Sequence, residues 1–136
     1  MKMTINPLTG LPQFINSDTT IVSGGGGVPN NVNNMPKPGV TNETGTTRTL
    51  SLDDSYDYIR LSHATSCDVT VPDNADVAFP INTQIFIRSA GAGTYTIVED
   101  TAVTVNPPVG GSLVLAGDVT LIKVATDEWD LVGATV

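Results

Sequence analysis

Histidine, cysteine and the carboxylates do most acid–base, nucleophilic and metal chemistry in proteins, and this chain is sparing with the first two. Its 136 residues hold one histidine, His63, and one cysteine, Cys67. A nucleophile–base pair needs His63 close to a hydroxyl and to an orienting acid. Ser62 and Ser66 are near in sequence, but neighbours on a strand point to opposite faces, so Ser62 and His63 diverge and the histidine reads as a surface or strand-end residue. Cys67 opens the apolar run Cys67-Asp68-Val69-Thr70-Val71 with no Lys or Arg beside it. Nothing there lowers a thiol pKa, and the residue reads as a small buried hydrophobe. One His with one Cys falls short of a zinc ligand set, and a lone Cys closes no intrachain disulfide.

The carboxylates are more numerous. Asp53, Asp54 and Asp57 form one cluster. A calcium loop of the EF-hand type needs glycine at its sixth position; counting from Asp53, Tyr58 stands there. The cluster therefore reads as a solvated turn, and Asp53-Asp54-Ser55 as the start of a single helical turn. Asp127, Glu128 and Asp130 read as the exposed turn and outer face of a final hairpin. Gly24–Gly27 lacks the Lys-Ser or Lys-Thr of a phosphate loop. Trp129 reads as the cover of one end of a β core, with Leu131 on the same side. These residues predict no catalytic site, no metal and no cofactor.

The elements that hold these residues follow from composition. Charged residues are only 15% of the chain against 40% hydrophobic, where soluble domains average about 25% charged. Thr, Asn, Gly and Val fill the gap, which favours strands and turns. The net charge of −8 argues against nucleic-acid partners, which call for a basic patch, and against an anionic membrane surface. The opening Met1-Lys2-Met3-Thr4-Ile5-Asn6-Pro7 has no apolar run of the signal-peptide kind, so synthesis in a cytoplasm without export by that route is expected. Asn42-Glu43-Thr44 matches a glycosylation triplet, read here as chance.

The chain divides near residue 46. Of residues 1–46, 19 are Gly, Pro or Asn, and the two acids there cancel the two bases. Residues 47–136 carry 12 acids and 4 bases, the whole net −8. Residues 1–46 read as an extended arm and linker, with a flexible four-glycine run and a stiff Pro36-Lys37-Pro38 spacer. Apolar residues stand along the arm at Leu8, Leu11, Phe14, Ile15, Ile21 and Val22, a spacing suited to ordering on a partner surface. Residues 47–136 read as all-β, an antiparallel sandwich or barrel. Strands are predicted at 46–52, 56–63, 67–71, 83–89, 94–98, 102–105, 112–116, 119–125 and 128–132. Period-two alternation puts Ile59, Leu61, Val69, Val71, Ile85, Ile87, Leu113, Leu115, Leu121 and Trp129 in the core.

The stretch from Arg48 to Gly133 resembles a small β domain of tailed-bacteriophage virion proteins. The resemblance lies in Tyr58-Ile59-Arg60-Leu61, Val69-Thr70-Val71-Pro72, Phe79-Pro80-Ile81-Asn82-Thr83, Ile85-Phe86-Ile87-Arg88, Val103-Thr104-Val105 and the ending from Val119 to Leu131. Asn82 stands where such domains usually have glycine, a replacement that still tolerates a left-handed turn. Ile5-Asn6-Pro7-Leu8-Thr9-Gly10 is similar to the start of some phage structural proteins. The resemblance implies a non-enzymatic virion component on the capsid surface, a head decoration (cement) protein or short head fibre. Its partners would be the major capsid protein or another virion protein, and copies of itself in a homotrimer. A tail-associated fibre adaptor or small receptor-binding tip is the alternative.

Overall fold

The computed structural model describes Thr4–Ile5, Pro12–Gln13 and residues 38–136. Two compact units divide the chain, Met1–Lys37 and Pro38–Val136. In the first, strands β1 (Thr4–Ile5) and β2 (Pro12–Gln13) pair antiparallel.

The second unit is all-β. Its strands are β3 (Val40–Glu43), β4 (Thr47–Thr49), β5 (Tyr58–Leu61), β6 (Ser66–Val71), β7 (Gln84–Ser89), β8 (Thr94–Glu99), β9 (Thr104–Asn106), β10 (Leu115–Ala125) and β11 (Glu128–Thr135). A six-stranded sheet runs in the order β3-β5-β7-β10-β11-β9, and a three-stranded sheet in the order β4-β6-β8.

The expected antiparallel arrangement is corrected. Five of the seven pairings in this unit are parallel: β3 with β5, β5 with β7, β4 with β6, β6 with β8, and β9 with β11. Only β10 pairs antiparallel, with β7 and with β11. From β3 to β8 the chain alternates between the two sheets, like three turns of a parallel β-helix. Parallel neighbours need a long crossover. Here each crossover is itself a strand of the other sheet, so the short loops that suggest hairpins in the sequence are corners between sheets.

The turns stack in register. Thr41, Ile59 and Ile87 are aligned in one sheet, and Arg48, Val69 and Ile97 in the other. Inward positions of both sheets form one hydrophobic core, including Ile59, Leu61, Val69, Val71, Ile85, Ile87, Leu115, Leu121 and Trp129. Leu113, also expected there, is only partly buried against it. Phe79 meets Trp129 edge-on at 5.2 Å between ring centres, a favourable aromatic geometry.

Four local features depart from, refine or match the sequence reading. Val40–Glu43, placed in the linker by that reading, is the edge strand β3; its inward side chains, Thr41 and Glu43, are polar, so the apolar alternation that marks a strand is missing. The strands predicted at 112–116 and 119–125 are replaced by one, β10, which starts only at Leu115 and has a register irregularity between Leu115 and Val119. The helical turn forms at Leu52–Asp54, capped by Ser51. Asn82 takes the left-handed conformation with φ 80°, as the turn requires.

Candidate functional site

His63 lies just past the end of β5, half-buried. Its Nδ1 accepts from the backbone N–H groups of Thr65 and Ser66 at 3.2 and 3.3 Å. The Ser62 hydroxyl donates to the Glu43 carbonyl at 3.1 Å and is not engaged with the imidazole. Cys67 is fully buried; burial, with the nearby negative charges of Glu43 and Asp68, raises its thiol pKa, against a small opposing effect of Arg48. Both residues therefore close a corner or fill the core.

The acids are less solvated than their sequence suggests. Asp54 is buried, at 2% exposure. Its carboxylate accepts from the Ser51 backbone N–H at 2.8 Å and forms an ion pair with Arg48. Asp57 accepts from the Gly39 N–H at 2.6 Å. The solvated-turn reading of this cluster is thus corrected: two of its three carboxylates tie down backbone around the first turn of the winding. Arg48 also bridges to Glu43 at 3.0 Å. The Glu43 pKa is lowered, first by the Gly45 N–H and then by Arg48, against a rise from burial. Burial opposes the charge on Arg48, but its hydrogen bonds to Asp54 and Glu43 outweigh that and raise its pKa.

At the far side of the sequence, Glu128 and Asp130 both accept from the Asn106 amide, at 3.1 and 3.0 Å, and so join β9 to β11. Asp127 accepts from the Asn74 N–H at 2.6 Å, which pins the 72–80 loop. These three acids, expected to be simply exposed, are half-buried crosslinks instead.

Sequence reasoning missed Lys123. It is an inward residue of β10 at 2% exposure. Its ammonium donates to Asn74 Oδ1 at 2.6 Å and to the Phe79 carbonyl at 2.9 Å, and it lies 5.9 Å from the centre of the Trp129 ring. Burial lowers its pKa, partly offset by Asp127. The strict alternation Val119, Leu121, Lys123 is the signal that could have placed it inside. A third acidic group, Asp73, Asp76 and Asp100, brings its carboxylates within 4.8 Å of one another. Two of its oxygens hold nearby backbone: Asp73 Oδ1 accepts from the Ala75 and Asp76 N–H groups, and Asp100 Oδ1 from the Thr101 N–H.

Leu8, Leu11, Phe14, Ile15, Ile21 and Val22, the expected partner-binding residues, lie outside the described residues. Comparison with protein-family models, curated proteins and solved structures finds no match to this chain.

What remains, once the internal bonds are assigned, is surface. The outward face of the six-stranded sheet contains a groove of about 310 Å³ lined by Tyr58, Phe86, Thr120 and Val132 among others.

Proposed function

We propose that this protein is a structural component of a bacteriophage virion, a capsid decoration protein or short head fibre. In this reading the N-terminal arm binds the major capsid protein or another virion protein, and the two sheets form a compact sandwich that faces outward and assembles as a homotrimer on the capsid surface. The observation that supports it most is how the polar side chains are spent. In residues 38–136, Arg48, Lys123, Asp54, Asp57 and Asp127 hold the protein's own loops and ends, which is the chemistry of a rigid display module. The chain before it carries Leu8, Leu11, Phe14, Ile15, Ile21 and Val22 in an otherwise polar, Gly- and Asn-rich strip. Three arms on one trimer would raise avidity through effective concentration.

The test uses capsids lacking the protein. Full-length chain should decorate them in many copies, and a variant without residues 1–22 should remain folded and fail to bind. Equal decoration by the truncated form would overturn the assignment of the arm. A few copies confined to the tail would move the protein to a fibre adaptor or tip.

A further inference from the structure

The register of the six-stranded sheet aligns Val40, Tyr58, Phe86, Thr120 and Val132 across five adjacent strands. Alternation turns all five away from the core, since Ile59, Ile87, Val119 and Leu131 on the same strands point into it. The result is a mostly apolar stripe across the outer face. Val40 and Val132 at its ends are 67% and 52% exposed, and Tyr58 and Phe86 are half-buried between them.

The charges beside the stripe differ by side: one side carries Arg60 and Arg88, with Asp118 ion-paired to Arg88 at 2.8 Å, and the other carries acids alone. Two residues along β5 and β7, Arg60 and Arg88 are direct partners on the same face. On β11, Glu128 and Asp130 share the face of Val132 but lie on the other side of the stripe, because β11 runs in the same direction as β5 and these residues precede the aligned position. The arginines are unusual in this molecule. Residues 38–136 hold 13 of the 14 acids and 4 of the 6 bases, a net of −9. Of those four bases, Arg48 is bound between Glu43 and Asp54 and Lys123 is buried. Arg60, which donates to Asn42 Oδ1 at 2.7 Å, and Arg88, paired with Asp118 but with its side chain 46% exposed, are thus the two surface cations among the described residues, and they stand together. Elsewhere two copies of so acidic a domain would meet with like charges opposed.

We infer that this face is the contact between copies of the chain: the arginine-bearing edge of one copy meets the acid-bearing edge of the next, with the apolar stripe closing the centre. A face carrying both signs on opposite sides of an apolar band joins head to tail, and such contacts close into a ring when the rotation allows. The inference deepens the multimeric part of the proposal above and names its surface; it does not depend on a capsid.

The experiment is light scattering on the full chain at about 100 µM, where contacts of even modest affinity are populated. The wild-type chain should give a multimer mass. Val132→Asp and Val40→Asp, at exposed ends of the stripe, should raise the dissociation constant at least about tenfold, and Arg60→Glu with Arg88→Glu should do the same through charge. Val109→Asp, in a fully exposed loop position away from the stripe, is the control that keeps the multimer. Circular dichroism on each variant confirms a wild-type fold, and the arginine pair, being at the surface, supplies a second reading if an aspartate unfolds the sheet. A monomer for the wild-type chain would overturn both this face and the multimeric reading. A multimer untouched by the stripe and arginine variants would overturn the face alone.

Discussion

Replacing Arg48 should be the most damaging single substitution of a charged residue in this protein. Its inward position in β4 is in register with Val69 and Ile97, so the guanidinium stands where later turns place aliphatic groups. It holds Asp54, whose side chain is 3% exposed, and Glu43, whose side chain is 19% exposed. Arg48→Met preserves much of the volume but leaves the Asp54 carboxylate buried without its partner. Removing one member of a buried pair costs about 3–5 kcal/mol. The Glu43 bridge, nearer solvent, adds about 0–1 kcal/mol at most. A loss of about 3 kcal/mol corresponds to a fall in Tm of roughly 12–24 °C for a domain of this size. Thermal and urea melts of Arg48→Met, Asp54→Leu and the double variant give the coupling. The double variant should recover most of the loss, since the uncompensated charge disappears with its partner. A single-variant loss under about 1 kcal/mol, or strict additivity of the two, would refute the assignment of this ion pair as a structural brace.

Four further outcomes follow from the same structure. Because the folded-state pKa of Glu43 is lowered, its contribution is present above the ordinary glutamate pKa of about 4.3 and is lost as pH falls through the lower folded value; acid melts of Glu43→Gln should show a shallower loss of stability in that range than the wild type. Lys123 has a lowered pKa as well, and the slope has the same sign in a different pH window: burial of the charged ammonium costs stability below the folded value, and stability rises as pH climbs from that value towards about 10.4, a rise that Lys123→Met should lack. Cys67, buried and with a raised thiol pKa, should react with a thiol reagent only at the rate of unfolding, and fast labelling of the native chain would contradict its burial. Gly133 has φ 135°, and a Cβ there would stand 2.8 Å from the Val119 Cα besides meeting the Asp118 carbonyl; Gly133→Ala should cost about 1–3 kcal/mol in a denaturant melt.

The apolar part of the fold was legible because strands with one buried face repeat every second residue. Ile59 and Leu61, Val69 and Val71, and Ile85 and Ile87 all declare their inner face in this way, and all are buried. Pairing direction was not legible. The alternation of a strand is the same whether its neighbour runs parallel or antiparallel, and the corner at Thr44–Thr46 has the composition of a hairpin loop. The polar interior was hidden for a related reason. Lys123 is buried because a distant partner meets it, Asn74, 49 positions away, while Asp54 and the half-buried Arg48, six positions apart, meet because the chain turns a corner between them. Local pattern assigns such residues to solvent. The outer stripe is another product of register: Val40, Tyr58, Phe86, Thr120 and Val132 are unremarkable singly and become a surface only when five strands align.

The winding also has a polarity that bears on what the protein avoids. Among the described residues both sheets begin with an unpaired edge, β3 in one and β4 in the other, so the first turn presents a template on which a foreign strand could continue the stack. Open edges of this kind lead to runaway end-to-end polymerisation. Here the inward positions of that turn are Glu43 and Arg48 rather than valine and isoleucine, and Asp54 sits with them. An added turn would have to cover a set of ions with no counter-ions of its own, at a desolvation cost that strand pairing does not recover. The salt-bridged end is therefore a chain terminator in the polymer chemist's sense. It opposes continuation of a repeating architecture beyond these three turns.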